Sequence, residues 1–360
     1  MKGSRVSDYE YVLPADRIAR YPVARRDESR LLVVPLSPGS GSGTALSMAP
    51  FRHLVFRDLV TLFRPGDVLV VNDSRVIPAR LLGKKPTGAP SEILLLRPTP
   101  EADPADPRTW EALVRPGGKL KPGRRVVVAD DLEVSVLGPA EGGGRVVRLD
   151  SPWPAWEVIE RHGHVPLPPY LEREDEPADR ERYQTVYARA AGSVAAPTAG
   201  LHFTPELLDE LEAIGVHRAA VTLDVGVGTF RPVEADDPDA HSMHAEPYRV
   251  EPAAADSIND VRRAGGRCWA VGTTVARTLE TAASEDGTVR AGAGITRLFI
   301  RPPCRFQVVD ALITNFHLPR STLLMMVAAF GGYERVMEAY GVAVAEGYRF
   351  YSYGDVMAFV

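Results

Sequence analysis

GDVLVVN, from Gly66 to Asn72, stands between two stretches of quite different texture. It is a short continuous apolar run preceded by a Pro-Gly turn, which reads as a buried strand. Beyond it, from about Val76 to Asp150, the runs EILLLRP, WEALVRP, RRVVVAD, LEVSVLG and RVVRLD follow one another with turn residues between them. Closely spaced strands punctuated by Gly and Pro, with no helix of respectable length, predict a small antiparallel barrel or sandwich. After Trp153 the pattern alternates. WEVIERHG, TPELLDELEAIG, AAADSINDVRRAGG and ARTLETAA predict helices, with HRAAVTLDVG, RCWAVGTT and VVDALITNF as the strands between them. Thr204-Pro205-Glu206 is a good helix start and Gly215 a good stop. Alternation of this kind predicts an α/β fold, an open Rossmann-like mixed sheet with flanking helices. Because the Gly66–Asn72 strand precedes the β-rich interval, residues 76–150 are expected as an inserted small antiparallel β-barrel. Residues 1–75 and 151–360 then form a discontinuous α/β domain.

Composition bounds the function. The chain has 360 residues, 45% hydrophobic and 25% charged, with a formal net charge of −5. Those values exclude a disordered chain and a protein that coats nucleic acid through its overall charge. Two cysteines, Cys268 and Cys304, cannot build a disulfide framework or a four-ligand zinc site. The opening MKGSRVSDYEYVLP has no apolar signal-peptide core, and the longest apolar run, LLMMVAAF, spans two helical turns. A cytoplasmic protein without a membrane partner is expected. The stretch PLSPGSGSGTALSMAP, from Pro35 to Pro50, reads as a mobile loop.

Several motifs are weaker than they look. LDVGVGTFR places Gly226 and Gly228 after a strand, like a dinucleotide fingerprint, but Arg231 replaces the third glycine and Pro232 blocks the helix. His241, His244 and Glu246 in HSMHAEPY could ligate a metal, yet lie in a proline-rich loop without HExxH spacing; hydrogen-bonding roles fit better, and no metal is expected. Stronger are five segments in which polar residues crowd the end of a strand or the start of a helix: Asn72, Asp73, Ser74 and Arg75; Pro197, Thr198, Gly200 and His202; Thr273, Thr274 and Arg277; Thr314, Asn315, His317 and Ser321; and Ser352, Gly354 and Asp355. Ligands of open α/β sheets bind beyond the carboxyl ends of strands. Each segment alone could be a capped helix start; five together predict one shared pocket in which His202, Thr273 and His317 meet.

These segments carry a family resemblance. FRPGDVLVVNDSRVIPARL, VPLPPYLEREDEPADRERYQTVYA, VAAPTAGLHFTPELL, VTLDVGVGTFRPV, VGTTVARTLE and TNFHLPRSTLLMMVAAFGG closely resemble the S-adenosylmethionine:tRNA ribosyltransferase-isomerases of queuosine biosynthesis, from about Tyr11 to Phe359. Two departures stand out. Asp224 occupies a position where the family usually shows His, and the loop Gly39 to Met48 is longer and richer in glycine. The resemblance implies an α/β catalytic domain with an inserted barrel, and S-adenosylmethionine as co-substrate. Its ribosyl part would pass to the aminomethyl nitrogen of 7-aminomethyl-7-deazaguanine at the tRNA wobble position. The products implied are epoxyqueuosine-tRNA, adenine and methionine.

Such a reaction makes physical demands. The sulfonium acidifies the ribose C5′ protons, so a base must reach one of them; departing adenine needs a proton donor; the acceptor amine must lose a proton before it attacks. The acid–base candidates are His202, His317, His244, Glu246 and Asp355. Asn72, Asp73, Ser74, Arg75, Thr198, Gly200, Thr273, Thr274, Arg277, Asn315 and Ser321 are the candidates for substrate binding. Between Val76 and Val128 ten basic residues face five acidic ones, and the densest run carries Arg115, Lys119, Lys121, Arg124 and Arg125. That run predicts tRNA contact on the barrel. A monomer is expected. Competing readings are a paralogue acting on another nucleoside, an adenosyl-ligand binding module, and a methyltransferase, which the missing glycine-rich loop disfavours.

Overall fold

A computed structural model describes residues 2–36, 49–226, 233 and 235–360. Most of the Pro35–Pro50 stretch, and Gly228, Arg231 and Pro232 of the fingerprint-like motif, lie outside the described residues. In chain order the strands are β1 (Arg30–Val34), β2 (Arg52–Val55), β3 (Val68–Asn72) and β4 (Ser74–Val76), then β5 (Arg80–Lys84), β6 (Pro90–Pro98), β7 (Thr109–Arg115), β8 (Arg125–Ala129), β9 (Leu132–Pro139) and β10 (Arg145–Asp150). After helices α1 (Ala155–His162) and α2 (Asp179–Arg182) come β11 (Ala190–Ser193), α3 (Pro205–Ala213), β12 (His217–Leu223), β13 (Glu246–Val250) and α4 (Pro252–Arg263). The chain finishes with β14 (Cys268–Val271), α5 (Thr273–Ala282), β15 (Gly292–Thr296), β16 (Ala311–Asn315), α6 (Thr322–Gly331), α7 (Tyr333–Ala345) and β17 (Val356–Phe359).

Nine strands form one mixed sheet in the order β15-β13-β12-β3-β14-β16-β17-β1-β2. Its centre, β12-β3-β14-β16, is parallel, as is the β17-β1 pair, and the remaining pairs are antiparallel. The uniform apolarity of VLVV now has its cause. Val68 and Val70 enter the core beneath α4 to α7, whereas Leu69 and Val71 enter the opposite core with Leu207, Leu208 and Leu211 of α3. Successive strand residues point to opposite faces, so a strand covered on both sides must be apolar throughout. The predicted start of α3 is realised: the Thr204 side chain accepts from the Leu207 N–H, and Pro205 occupies the first turn.

Strands β5 to β10 close a six-stranded antiparallel barrel, ordered β10-β7-β6-β5-β8-β9. Its core is built around buried Trp110, Leu81, Ile93 and Val134, and it continues into Ala155, Val158 and Ile159 of α1. Helix α1, which lies beyond the expected barrel interval, therefore packs on the barrel. Beside the junction, β4 and β11 form a two-stranded parallel ladder, and the Gln184 amide bonds both backbone groups of Val76.

Candidate active site

A cleft opens where the parallel strands end. After Val271, Gly272 adopts φ +90°, a left-handed conformation that a side chain would oppose, and turns the chain directly into α5. That places Thr273 and Thr274 on the cleft. The end of β16 supplies Thr314 and Asn315, followed by Phe316, His317 and Ser321, the cap of α6. Ala196 to Ala199, Val225, Tyr170, Tyr351 and Ser352 also line it, with Leu318 and Leu323. Four of the five polar segments thus converge.

His317 is buried, and its Nε2 lies 2.7 Å from the Thr314 hydroxyl. The main chain at this residue is held from both sides: its N–H donates to the Tyr340 hydroxyl at 2.8 Å, and its carbonyl accepts from the Tyr11 hydroxyl at 2.5 Å. Burial lowers the imidazole to about 3, so it is neutral at physiological pH. His202 sits one layer behind. Its Nδ1 is 2.9 Å from the Ser29 hydroxyl and its Nε2 is 3.2 Å from the Asn315 amide nitrogen. It lines a neighbouring small cavity with Arg26, Ser29 and Arg182, and Ser352 borders both spaces. Burial, reinforced by Arg349 and Arg26, also holds His202 down to about 3. His202 and His317 are therefore close in the fold, with Asn315 between His202 and the cleft, but His202 does not line it as expected.

Other expectations need correcting. The Asn72 to Arg75 segment stays out of the cleft. Asn72 works as a backbone clamp: its Oδ1 accepts from Ser74 and Leu223 N–H groups, and its Nδ2 donates to the Leu223 carbonyl. Asp73 is buried against Arg189 at 2.8 Å and accepts from the Thr222 hydroxyl at 2.7 Å. Ser74 is fully buried, and exposed Arg75 borders a separate cavity at the barrel junction with Glu160. Gly200 is required by packing, because a Cβ there would lie 2.1 Å from the Tyr187 hydroxyl. The Ser321 hydroxyl accepts from the Leu324 N–H and donates to the Leu318 carbonyl, which commits it to capping α6. Asp355 ties down the C-terminal turn, accepting from the Arg30 and Arg349 N–H groups at 2.9 and 2.8 Å. Glu246 and Arg277 form a buried ion pair, and Glu246 also accepts from the Gly226 N–H. His244 is exposed and does not line the cleft. Among the described residues no group of three His, Cys, Asp or Glu could hold a metal ion.

Of the aromatic walls, Tyr351 belongs to the aromatic-rich YRFYSYGD segment, whereas Tyr170 carries no signal in the sequence. Tyr170 and Tyr351 pack with ring centroids 4.5 Å apart, and the Tyr170 hydroxyl bonds Ser352. Tyr351 holds φ +71°, unusual for a bulky residue and a sign of local strain at this edge of the cleft. Tyr170 arrives from a proline-rich stretch, 181 positions before Tyr351, and nothing in local spacing pairs the two.

Arg115, Lys119, Lys121, Arg124 and Arg125 are all exposed, on or beside the connection from β7 to β8. Strand direction alternates around the barrel, so this connection lies at the end opposite the entry at Arg80 and the exit at Asp150. Buried Leu120 plugs it into the barrel, and Arg145 donates to the Gly117 and Leu120 carbonyls. Arg125 pairs with Glu133 at 3.2 Å; the other four make no ion pair among the described residues.

An α/β sheet with an inserted barrel, and a cleft at the strand ends walled by aromatics and helix starts, is the frame in which comparison with known proteins becomes informative. Residues 6–359 match the family described as queuosine biosynthesis protein, and the chain belongs to that family. It is 54% identical to the S-adenosylmethionine:tRNA ribosyltransferase-isomerase of Symbiobacterium thermophilum, covering 98% of this chain and 99% of the relative. It is 52% identical to the protein of the same name from Thermus thermophilus, over 97% of each. The crystal structure of an S-adenosylmethionine tRNA ribosyltransferase from Thermotoga maritima is 37% identical, covers 98% of this chain and 99% of its own, and aligns with a TM-score of 0.53. Among the described residues no helix is long and apolar enough to cross a membrane.

Proposed function

We propose that this protein is an S-adenosylmethionine:tRNA ribosyltransferase-isomerase. It moves and isomerises the ribosyl part of S-adenosylmethionine onto the aminomethyl group of 7-aminomethyl-7-deazaguanine (preQ1) at the tRNA wobble position. Epoxyqueuosine-tRNA, adenine and methionine leave. The observation that carries this reading is the cleft, which joins aromatic faces, two helix N-termini and a buried neutral imidazole. Aromatic faces attract a sulfonium cation. Helix starts attract the carboxylate of its methionyl part. Residues 76–150 serve as an inserted tRNA-holding domain on the catalytic domain of 1–75 and 151–360, in a monomeric cytoplasmic enzyme.

Within the cleft Thr198, Thr273, Thr274 and Asn315 contact the ribose and methionyl parts. His317 contacts the reacting centre through Nδ1, which has no hydrogen-bond partner among the described residues while Nε2 is held by Thr314. Incubation with S-adenosylmethionine and preQ1-tRNA tests the reaction: adenine plus methionine supports it, S-adenosylhomocysteine means methyl transfer, and neither means binding alone. His317→Ala is expected to lower kcat on the order of a hundredfold with a small change in KM, the size of a lost proton-transfer group. A change confined to KM would leave His317 a binding residue.

Charge reversal at Arg124 and Arg125 should raise the KM for tRNA and flatten its salt dependence, since each phosphate contact releases counterions. Turnover at saturating tRNA should hold, because uniform binding lowers KM without touching kcat. An unchanged KM would move the tRNA footprint towards Arg25, Arg26 and Arg30.

A further inference from the structure

The orientation of one amide decides what the cleft can receive. The Asn315 side-chain nitrogen lies 3.1 Å from the Tyr351 carbonyl, which can only accept, so the nitrogen must face that way. Its other proton meets His202 Nε2 at 3.2 Å. Neutral His202 then donates through Nδ1 to the Ser29 hydroxyl, which locks the ring. Both Asn315 protons are spent. Its Oδ1 is left buried in the lining of the cleft, without a hydrogen-bond partner among the described residues, and Asn315 as a whole is 2% exposed. A buried carbonyl in that state is destabilising until a donor arrives.

Beside it the N-terminus of α5 is bare. The first amides of a helix have no intrahelical acceptor, and Gly272 brings no side chain to cap them. The α6 start is different, being closed by Ser321. The Thr274 hydroxyl, also on the cleft, is buried and has no partner among the described residues. None of the described lining residues is Asp, Glu, Lys or Arg. Among the described residues a dianion would find no counter-charge here, and it would meet the Asn315 oxygen with its own. A zwitterion fits: its anionic end takes the bare amides and its cationic end gives hydrogen bonds to the unpaired oxygen.

We infer that the bare start of α5 and the Asn315 side-chain oxygen form a subsite for an α-amino-acid group, the carboxylate lying on the Thr273 and Thr274 amides and the ammonium on Asn315 Oδ1. His202 is a positioning residue that holds the amide in the accepting orientation. The subsite deepens the proposed function, resting on that reading only for its ligand: it assigns the methionyl end of S-adenosylmethionine.

Calorimetric titration of the full chain tests this with S-adenosylmethionine, its des-amino analogue and its decarboxylated analogue. Each analogue should bind at least tenfold more weakly than the parent. In Asn315→Ala the parent and the des-amino analogue should bind alike, while the decarboxylated analogue stays weaker. His202→Ala should reduce the same preference for the ammonium, and His202→Gln, which can still accept from Asn315, should restore part of it. Equal binding of parent and des-amino analogue by the unaltered protein overturns the subsite, whether or not the variants fold, and hands the Asn315 oxygen to a ribose hydroxyl or the adenine amine. If S-adenosylmethionine does not bind at all, the proposed function falls. Methionine and des-amino methionine then decide the subsite alone: selective binding of methionine upholds it, and equal or absent binding overturns it.

Discussion

Acidification from pH 7 to pH 4 is expected to remove about 4 kcal/mol of folding stability, a substantial part of a typical margin of about 5–15 kcal/mol. His202 and His317 carry the effect. Both are buried and held down to about 3, whereas the unfolded chain protonates them near 6.5. A group with a depressed folded pKa contributes its full stability above the unfolded value and loses it as pH falls towards the folded one. At pH 4 that loss is about 3 kcal/mol per histidine. Asp224 works in the opposite direction. Burial raises its carboxyl to about 6, helped by Asp73 and resisted by Arg249, so keeping it ionised at pH 7 is costly and acid relieves the strain. The relief is about 2 kcal/mol over the same range, too little to offset two imidazoles. Urea unfolding at half-unit steps of pH checks the sum. A flat stability between pH 7 and pH 4 would mean that neither ring is desolvated. Asp224→Asn should steepen the acid loss, since it deletes one compensating titration; Glu280 and Asp310, also raised by burial, still act in the same direction.

Gly163→Ala should destabilise the protein by more than about 3 kcal/mol, at the upper end for overpacking. Gly163 ends α1 at φ −78°, a conformation open to any residue, so the constraint is purely one of contact. A Cβ there would lie 1.8 Å from the Pro78 carbonyl oxygen and 2.4 Å from that of Ile159. Neither can yield easily. Pro78 lies in the chain entering the barrel, and the chain on each side is pinned nearby by paired bonds between Arg80 and His164, 2.9 and 3.2 Å long. The Gly163 carbonyl is itself held by Arg180 at 2.7 Å. Gly341→Ala is the contrasting substitution. That glycine is exposed in α7 with nothing within 4 Å of an added Cβ, so alanine should stabilise by about 0.5–1 kcal/mol. Denaturant midpoints of the two variants should move in opposite directions. A Gly163 variant within about 0.5 kcal/mol of the parent would show that the junction can open.

Much of this architecture was written locally. VLVV is apolar without a break because both faces of β3 are covered, and the short strands of the barrel betray themselves through turn residues. The cap at Thr204 acts within its own first turn. Other strands carry a weaker local signal. β13, β15 and the terminal β17 are four or five residues long, and their identity as strands depends on partners far away in the chain. Chemistry-bearing segments were visible as polar residues after strands, and four of them do share the cleft.

Which partners each polar side chain meets was decided by the tertiary structure. Asn72 and Asn315 both end central parallel strands, yet one is consumed by the backbone of β12 and the other keeps a side-chain oxygen without a hydrogen-bond partner among the described residues. Asp355 and Glu246 resemble catalytic acids in sequence, but the first is spent on backbone amides and the second on Arg277. A cap, a turn or a continuous apolar run depends on neighbours within a few residues, so sequence alone determined the central strands, the barrel and the whereabouts of the cleft. A side chain's chemical freedom depends on which donors and acceptors the fold brings to it, some from as far as 325 residues away, and only the folded chain decides that.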